Sequence, residues 1–459
     1  MLKSLAFLTV VLLSIGQVFA QSDTAKPNFV VIIADDMGWY DCGAYGHQSI
    51  KTPHIDQLTK DGLRFDNAYL TTSSCSPSRA SIMTSRYPHN TGAQTLHSQM
   101  DASAVLVSTP LREAGYYTAV AGKWHLGENV RNQFDAIYGG NPGGEEKWIE
   151  ALQKRPKEKP FFFWLASMEP HRDYGGKGAA AKIHQPSDVV VPPYYPDVPE
   201  VRQDFVDYYD EIARLDSYVG KVREELKSQG VEQNTVIVFM TDNGRPFPRC
   251  KTRITDEGIQ TPFIVTWPSR IQPGQTTSSL ISSIDLAPTM LELAGAKAPE
   301  TFQGKSFTPI LENPVVKTRE YIFAEHNWHD YKAFERAVRN ERYTYIRNEL
   351  PALPKTPPAD AVRSPTHRVL QQYHAEGKLQ PWQIDPFETP GPPEFLFDNK
   401  LDPYSLNNLI ESPAHQAVIV TLKKELAQWQ EQTGDVFDEA QLLPDKYDRQ
   451  TGRLPGQAD

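Results

Sequence analysis

The strongest constraint on the fold is a set of short apolar runs, rich in β-branched and aromatic residues. The first occupies residues 28–34 (Asn-Phe-Val-Val-Ile-Ile-Ala), and similar runs occupy residues 117–120, 161–166, 235–240 and 263–267. Continuous runs of this length are typical of strands buried on both faces of a parallel sheet. Helical patterns lie between them, the clearest at residues 205–226. We therefore expect an α/β fold with a large, central, mostly parallel sheet flanked by helices.

The pattern changes after residue 335. Residues 336–346 alternate like one antiparallel strand, residues 350–394 carry ten prolines and predict irregular structure, and residues 395–398 predict a short strand. Residues 414–429 predict a closing amphipathic helix. We expect a catalytic domain over residues 21–335 and a smaller C-terminal α+β subdomain, with a short antiparallel sheet, over residues 336–459.

The first twenty residues predict a secretory signal peptide. Lys3 supplies a positive charge, residues 5–13 are apolar, and Val18-Phe19-Ala20 offers the small residues that a signal peptidase requires. The apolar run is too short to span a bilayer, so we expect a secreted or periplasmic protein without a membrane span.

The net charge bears on the class of binding partner, and the cysteine count bears on disulfide pairing. The formal net charge of −10 argues against a nucleic-acid partner, because such proteins carry basic faces. The three cysteines are Cys42, Cys75 and Cys250, and an odd count leaves at least one without a disulfide partner. Cys42 and Cys250 could pair, a point that sequence does not decide.

Polar motifs follow four of the predicted strands directly. They are Asp35-Asp36, Gly122-Lys123-Trp124-His125, Glu169-Pro170-His171-Arg172 and Thr241-Asp242-Asn243-Gly244. Each alone is an ordinary turn sequence, but ligands of open α/β sheets bind at the carboxyl ends of the strands. Their joint placement predicts a functional site. Asp35, Asp36, Asp242 and Asn243 form an all-oxygen set, which favours calcium first and magnesium second.

Cys75 begins the run Cys-Ser-Pro-Ser-Arg, which is followed by a plausible first helical turn with Pro77 at its start. The start of a helix suits an anion because its N–H groups are unpaired. Two other interpretations stay open from these residues alone. Cys75 could be a buried free cysteine, or the thiolate nucleophile of a cysteine hydrolase.

Together these motifs resemble the type I, formylglycine-dependent sulfatases of the alkaline-phosphatase-like superfamily. The match runs through Cys75-x-Pro77-x-Arg79, Thr84 to Gly92, Asp35-Asp36, Gly122 to Gly127, Asp242-Asn243-Gly244, Pro262 to Val265 and Phe395 to Asp398. The resemblance implies that a maturation enzyme oxidises Cys75 to formylglycine (3-oxoalanine). The family's metal is Ca²⁺, which implies Asp35, Asp36, Cys75, Asp242 and Asn243 as its ligands here.

The resemblance also implies a division of labour among the remaining motif residues. The hydrated aldehyde, a geminal diol, attacks sulfur; Arg79 holds the diol and His125 deprotonates it to release sulfate. Lys123 and Lys251 neutralise the sulfate oxygens, and His171 is the acid for the leaving group. The family has Glu-Gly-Gly four residues after the lysine, where this chain has Asp256-Glu257-Gly258. This departure makes Arg253 a competitor for the role of Lys251.

Two stretches, residues 170–172 and 242–248, look most like the heparan N-sulfatases (N-sulfoglucosamine sulfohydrolases). The resemblance implies a sulfated saccharide or polysaccharide as substrate, with sulfate ester and N-sulfate both open. Candidates for the sugar pocket are Arg172, His326, Trp328, His329 and Trp382.

Two other functions are weighed against a polysaccharide sulfatase. A phosphomonoester or phosphodiester hydrolase on the same scaffold would more often use Ser or Thr with two zinc ions, and histidines are scarce among the strand-end acids. A non-catalytic sugar-binding relative would have lost at least one motif residue, and all of them are present.

Overall fold

The structure, a computed structural model, describes residues 26–139, 144–174 and 181–457. The predicted signal peptide lies outside these residues. The strands are β1 (Asn28–Ala34), β2 (Leu63–Phe65), β3 (Ala68–Tyr69), β4 (Tyr117–Gly122), β5 (Ala136–Tyr138), β6 (Phe161–Ala166), β7 (Thr235–Thr241), β8 (Phe263–Thr266), β9 (Gln275–Thr277), β10 (Ile281–Ser282), β11 (Ile322–His326), β12 (Glu335–Arg339), β13 (Tyr343–Asn348) and β14 (Glu394–Asp398).

The α-helices lie between and after these strands. They are α1 (Pro53–Asp61), α2 (Cys75–Thr84), α3 (Ser108–Glu113), α4 (Trp148–Lys154), α5 (Pro199–Ser228), α6 (Asp256–Ile259), α7 (Leu286–Leu293), α8 (Thr308–Glu312), α9 (Ala359–Val362), α10 (Pro365–Ala375) and α11 (Gln416–Thr433). No helix in the described ranges is both long and apolar enough to cross a membrane.

The main sheet has eight strands in the order β5-β4-β6-β1-β7-β8-β2-β9. Its centre is parallel, with β1 between β6 and β7 and buried along its whole length. The last strand predicted from the apolar runs, β8, is instead antiparallel to both of its neighbours. The expected α/β class with a mostly parallel sheet is confirmed.

Helices cover both faces of this sheet, because alternate side chains of each strand point to opposite sides. Phe29, Val31 and Ile33 pack into one core with α2, α3 and α7. Val30 and Ile32 pack into a second core, to which the long helix α5 contributes its apolar stripe. With both faces covered, the open edge formed by the carboxyl ends of the strands is the place left for a site.

The C-terminal sheet is antiparallel in the order β11-β12-β13-β14. The prediction of one strand over residues 336–346 is wrong, since a turn divides this segment into β12 and β13. The Asn340 side chain makes the turn by accepting hydrogen bonds from the amides of Arg342 and Tyr343. The first strand of this sheet, β11, precedes residue 336. The domain boundary predicted between residues 335 and 336 stays a prediction.

The proline-rich segment is also more regular than its composition predicts. It contains the helices α9 and α10, because the prolines stand before or at the start of each helix rather than inside it. Pro365 opens α10, and the Ser364 hydroxyl caps it by accepting from the amide of His367 at 3.1 Å. The segment thereby places α9 beside the carboxyl ends of the main sheet.

Candidate active site

The four strand-end motifs meet because β4, β6, β1 and β7 are neighbours in the sheet. Backbone hydrogen bonds continue past the strand ends and fix the motifs to one another. The amide of Asp35 donates to the Glu169 carbonyl at 2.9 Å, and the amide of Asp242 donates to the Ala34 carbonyl at 3.2 Å. The structure therefore brings together the residues that the strand-end argument selected.

The all-oxygen set is buried at this edge. Asp35, Asp36, Asp242 and Asn243 have no exposed surface, and ligand atoms of Asp35, Cys75 and Asp242 lie within 4.8 Å of one another. The Asn243 amide nitrogen donates to Asp242 at 3.0 Å and also to Asp36. Its side-chain oxygen, Oδ1, is buried with no hydrogen-bond partner in the described part of the chain. An unpaired buried oxygen beside three carboxylates fits a hard cation such as calcium.

Three cationic side chains surround the carboxylates. Arg79 Nε lies 2.7 Å from Asp242, Lys123 Nζ lies 2.5 Å from Asp35, and Lys251 Nζ lies 2.7 Å from Asp36. Burial alone would lower the pKa of Lys251, but Asp36 beside it raises that pKa well above the usual value. All three groups are therefore held as cations at the bottom of the site.

Cys75 is the first residue of α2, and its Sγ lies 3.8 Å from Asp36 Oδ1. Every residue of this helix is buried although half of them are polar. Two of its hydroxyls are bonded within the protein, since Thr84 donates to the Ala80 carbonyl at 2.7 Å and Ser81 bonds Thr71 at 2.6 Å. The positive end of a buried helix thus points at the oxygen cluster.

Two histidines approach the cluster. His125 follows β4 in a left-handed conformation (φ 46°), and its buried Nδ1 has no hydrogen-bond partner among the described residues. Burial, with Lys123 and Arg79 nearby, holds the pKa of His125 well below its usual value. His171 Nε2 lies 3.7 Å from Asp36 and 3.7 Å from Asp360.

The loop that carries Lys251 depends on two glycines in close contact. The amide of Gly244 donates to the carbonyl of Gly258 at 2.9 Å, and a Cβ at Gly244 would lie 2.1 Å from the Glu257 carbonyl oxygen. Gly258, the last residue of the Asp256-Glu257-Gly258 motif, therefore lies where two backbone segments are in contact. Arg253, the competitor of Lys251, instead bonds Asp385 at 2.8 Å.

The predicted sugar-pocket residues are scattered. His329 lines the cleft above Cys75 and bonds the Ser74 hydroxyl at 2.7 Å. Arg172 is buried in a two-armed ion pair with Asp204 at 2.6 and 2.9 Å. The other three side chains bond elsewhere: His326 to Glu335, Trp328 to the Pro444 carbonyl and Trp382 to the Pro193 carbonyl. A role in substrate binding stays a prediction for all five.

The cleft has a volume of about 830 Å³ and includes residues that the sequence analysis missed. Asp360, Arg363 and Tyr447 come from the C-terminal part of the chain and line the cleft together with His125 and Lys123. Asp360 Oδ2 lies 3.7 Å from Lys251 Nζ. No strand end or motif marks these residues, and only the packing of the C-terminal segment against the main sheet brings them to the site.

Family models and similar proteins of known name all point to sulfatases. The family model described as Sulfatase matches residues 27–150 and 145–296, and the model described as N-sulphoglucosamine sulphohydrolase, C-terminal, matches residues 250–350. An ulvan-active sulfatase of Formosa agariphila is 30% identical, over 89% of this chain and 76% of that relative. The human N-sulphoglucosamine sulphohydrolase is 29% identical, over 90% of this chain and 91% of the human protein.

A solved 2-O GAG sulfatase superposes with a TM-score of 0.70 at 21% identity, covering 92% of this chain and 95% of that structure. At this identity the similarity is one of fold. It extends over both the main sheet and the C-terminal sheet.

Proposed function

The chain belongs to the sulfatase family, and from this premise we propose that it is a calcium-dependent enzyme that desulfates a sulfated carbohydrate with Cys75, as formylglycine, as its nucleophile. The similar proteins named for ulvan and for N-sulphoglucosamine support a saccharide substrate. The predicted leader supports export to the periplasm or outside the cell. A formylglycine-generating maturation enzyme is then a required partner.

The observation that carries the proposal is the charge balance around Cys75. Three carboxylates (Asp35, Asp36 and Asp242) face three cations (Arg79, Lys123 and Lys251), and a fourth carboxylate, Asp360, lies 3.7 Å from Lys251, so the cluster has no net positive charge without a metal. A divalent cation among the oxygens would make it positive. A buried positive centre at a helix N-terminus and at the floor of a cleft suits a sulfate group.

Asp35, Asp36, Asp242, Asn243 and modified Cys75 would hold calcium, and the unpaired Asn243 oxygen supports this set. When bound, the ion offsets the negative charge of the buried carboxylates and polarises the sulfate. The formylglycine hydrate supplies an oxygen nucleophile, which splits the hydrolysis into two easier steps.

The cationic side chains act on the sulfate and on the nucleophile. Arg79, held between Asp242 and Asp35, orients the nucleophilic oxygen at residue 75. Lys123 and Lys251 both line the cleft and stabilise the sulfate oxygens as they gain charge in the transition state. Because both lysines are anchored on carboxylates, little reorganisation is needed when the substrate binds.

The two histidines move protons. His125, whose lowered pKa keeps it neutral, is suited to accept a proton from the hydroxyl at residue 75. His171 lies at the open side of the site, where the leaving oxygen or nitrogen of the sugar would be, and it donates a proton to that atom.

Desulfation of a panel of defined oligosaccharides tests the proposal. The panel includes N-sulfated glucosamine, O-sulfated glucosamine and sulfated algal sugars, with phosphorylated sugars as controls, and product masses are read. We expect sulfate release from at least one sulfated sugar and far slower phosphate release. Phosphate release faster than sulfate release on matched sugars would support the phosphohydrolase instead.

A further inference from the structure

A second cavity of about 480 Å³ adjoins the catalytic cleft. Its lining residues are Arg363, Tyr447, Gly452, Arg453 and Gln457, and the first two also line the cleft that contains Cys75. The second cavity therefore lies directly beside the cleft, with Arg363 and Tyr447 between the proposed sulfate position and the C-terminal end of the chain.

One wall of the second cavity is the segment of residues 444–457, here named the C-terminal strap. The strap is fixed to the site along its length. The Pro444 carbonyl accepts from Trp328 Nε1 at 2.8 Å, the amide of Lys446 donates to the Asp330 carbonyl at 2.9 Å, and the Gly452 carbonyl accepts from Arg363 at 2.6 Å. A wall held at three points along its length is a preorganised surface.

The charges of this cavity are of one sign. Arg363 and Arg453 are the charged residues among its lining, in a protein whose net charge is −10. Arg363 is exposed and has no ion-pair partner within the described ranges. Lys446, on the same strap, lies with Nζ 4.9 Å from the centre of the Tyr447 ring. The two carboxylates of the strap are bonded locally, Asp445 to Arg449 and Asp448 to the amides of Gln450 and Thr451. A local cationic patch in an acidic protein concentrates an anion that the rest of the surface repels.

The chemistry of the lining fits a charged sugar. Guanidinium groups bind carboxylates and sulfates through paired hydrogen bonds, and the half-buried Tyr447 offers a flat face beside them. Resting on the proposed function, we propose that this cavity is a second subsite, which binds a carboxylate or sulfate on the sugar next to the one that carries the scissile sulfate. The preferred substrate is then a polyanionic oligosaccharide rather than a single sulfated sugar.

The test uses the full-length active enzyme and its variants Arg363→Gln and Arg453→Gln. Lys400→Gln, which removes an equal charge from an exposed turn of the C-terminal sheet, is the control. The substrates are 4-nitrophenyl sulfate and a sulfated glucosamine disaccharide whose second sugar is glucuronic acid, a sulfated hexose or glucose. We expect each arginine variant to raise KM about tenfold for the two anionic disaccharides, with kcat nearly unchanged.

The neutral disaccharide and 4-nitrophenyl sulfate should lose far less with either arginine variant than the anionic disaccharides do, and added salt should reduce the preference for the anionic disaccharides in the wild-type protein. The carboxylated and sulfated disaccharides show which anion the subsite prefers. Equal losses on all substrates, or no loss on the anionic ones, would overturn the subsite while leaving the sulfatase proposal intact. Should Arg363→Gln lower the melting temperature because it loosens the strap, KM is compared at a temperature at which both arginine variants are fully folded. Absence of sulfate release from every substrate by the wild-type protein would overturn both.

Discussion

Two buried clusters in this molecule are built from the same kinds of side chain. The catalytic cluster combines Asp35, Asp36, Asp242, Arg79, Lys123 and Lys251, and a second one, here named the His89 cluster, combines His89, Glu325, Arg336 and Asp435. Ligand atoms of His89, Glu325 and Asp435 lie within 4.8 Å of one another, as do those of Asp35, Cys75 and Asp242. Metal-like spacing therefore does not distinguish them.

The difference lies in which kind of buried atom is left unpaired and in access to a cleft. In the His89 cluster, Arg336 bonds both oxygens of Asp435 at 2.7 Å, while His89 and Asn327 each donate to Glu325 at 2.8 Å. In the described residues each cluster leaves a buried atom unpaired, but of opposite kinds: Nε2 of His89, a donor when Glu325 holds the ring protonated, and the side-chain oxygen of Asn243, an acceptor suited to a cation. The catalytic cluster also borders a cleft of about 830 Å³. A closed cluster of charges joins parts of the fold, whereas a cluster with a free acceptor beside a cleft is a site.

The largest expected effect is a loss of activity on substitution beside the catalytic cluster. Cys75→Ala should lower turnover at least about a thousandfold because it removes the proposed nucleophile. The fold should be retained, since alanine suits a helix and the lost side chain is small. Turnover of a saccharide sulfate and thermal unfolding are measured together. Near-normal activity in this variant would refute the mechanism.

Calcium removal should distinguish the clusters next. Dialysis against a chelator should abolish activity, and added Ca²⁺ should restore it, because of these two clusters only the catalytic one is proposed to bind calcium. Far-UV circular dichroism should stay unchanged, and Mg²⁺ serves as the comparison ion. An enzyme that keeps full activity in chelator would contradict the assignment of the metal.

The histidines of the two clusters offer a matched pair of substitutions. His171→Ala should slow desulfation of a sugar about a hundredfold, because the poor leaving group needs a proton, and should change 4-nitrophenyl sulfate turnover far less. His89→Ala should affect neither substrate once protein stability is accounted for. Equal losses of His171→Ala on both substrates would reject its role as the acid.

A substitution in the His89 cluster should lower stability and leave activity unchanged, the reverse of what is expected for the catalytic cluster. Arg336→Met leaves Asp435 buried beside Glu325 without its partner, and should lower the free energy of unfolding by about 3 kcal/mol. The kcat/KM of the folded fraction should stay unchanged. A loss of activity with unchanged denaturant unfolding would show that this cluster belongs to the site.

The smallest effect is one of pH. Burial opposes protonation of His89, but the charge of Glu325 and its hydrogen bond outweigh it and raise the pKa of His89 above its usual value. The resulting stability is present below the pKa of the unfolded state and is lost as pH rises through that of the folded state. The stability advantage of the wild type over His89→Gln should therefore be larger at about pH 6 than at about pH 9. A larger advantage at the higher pH would contradict the assigned charge.

Local sequence predicts the floor of the site better than its walls. Asp35, Lys123, His171 and Asp242 follow buried strands, so the order of the sheet alone brings them together. Asp360, Arg363 and Tyr447 reach the cleft only through tertiary packing of the C-terminal segment. No local pattern marks such residues.

Arg172 shows what a motif leaves out. Its position in a motif predicts a ligand of the sugar, which stays a prediction, but not that its guanidinium donates to Asp204 and to the Pro246 carbonyl. Asp204 lies on α5, 32 residues away in sequence. Partners this distant cannot be read from the motif itself.

The most direct test of the account is the mass of the peptide ending at Arg79, taken from enzyme of known specific activity. We predict an aldehyde in place of the Cys75 thiol, in a fraction that rises in proportion to specific activity when the maturation enzyme is co-expressed. A fully active preparation in which Cys75 is an unmodified thiol would contradict the account.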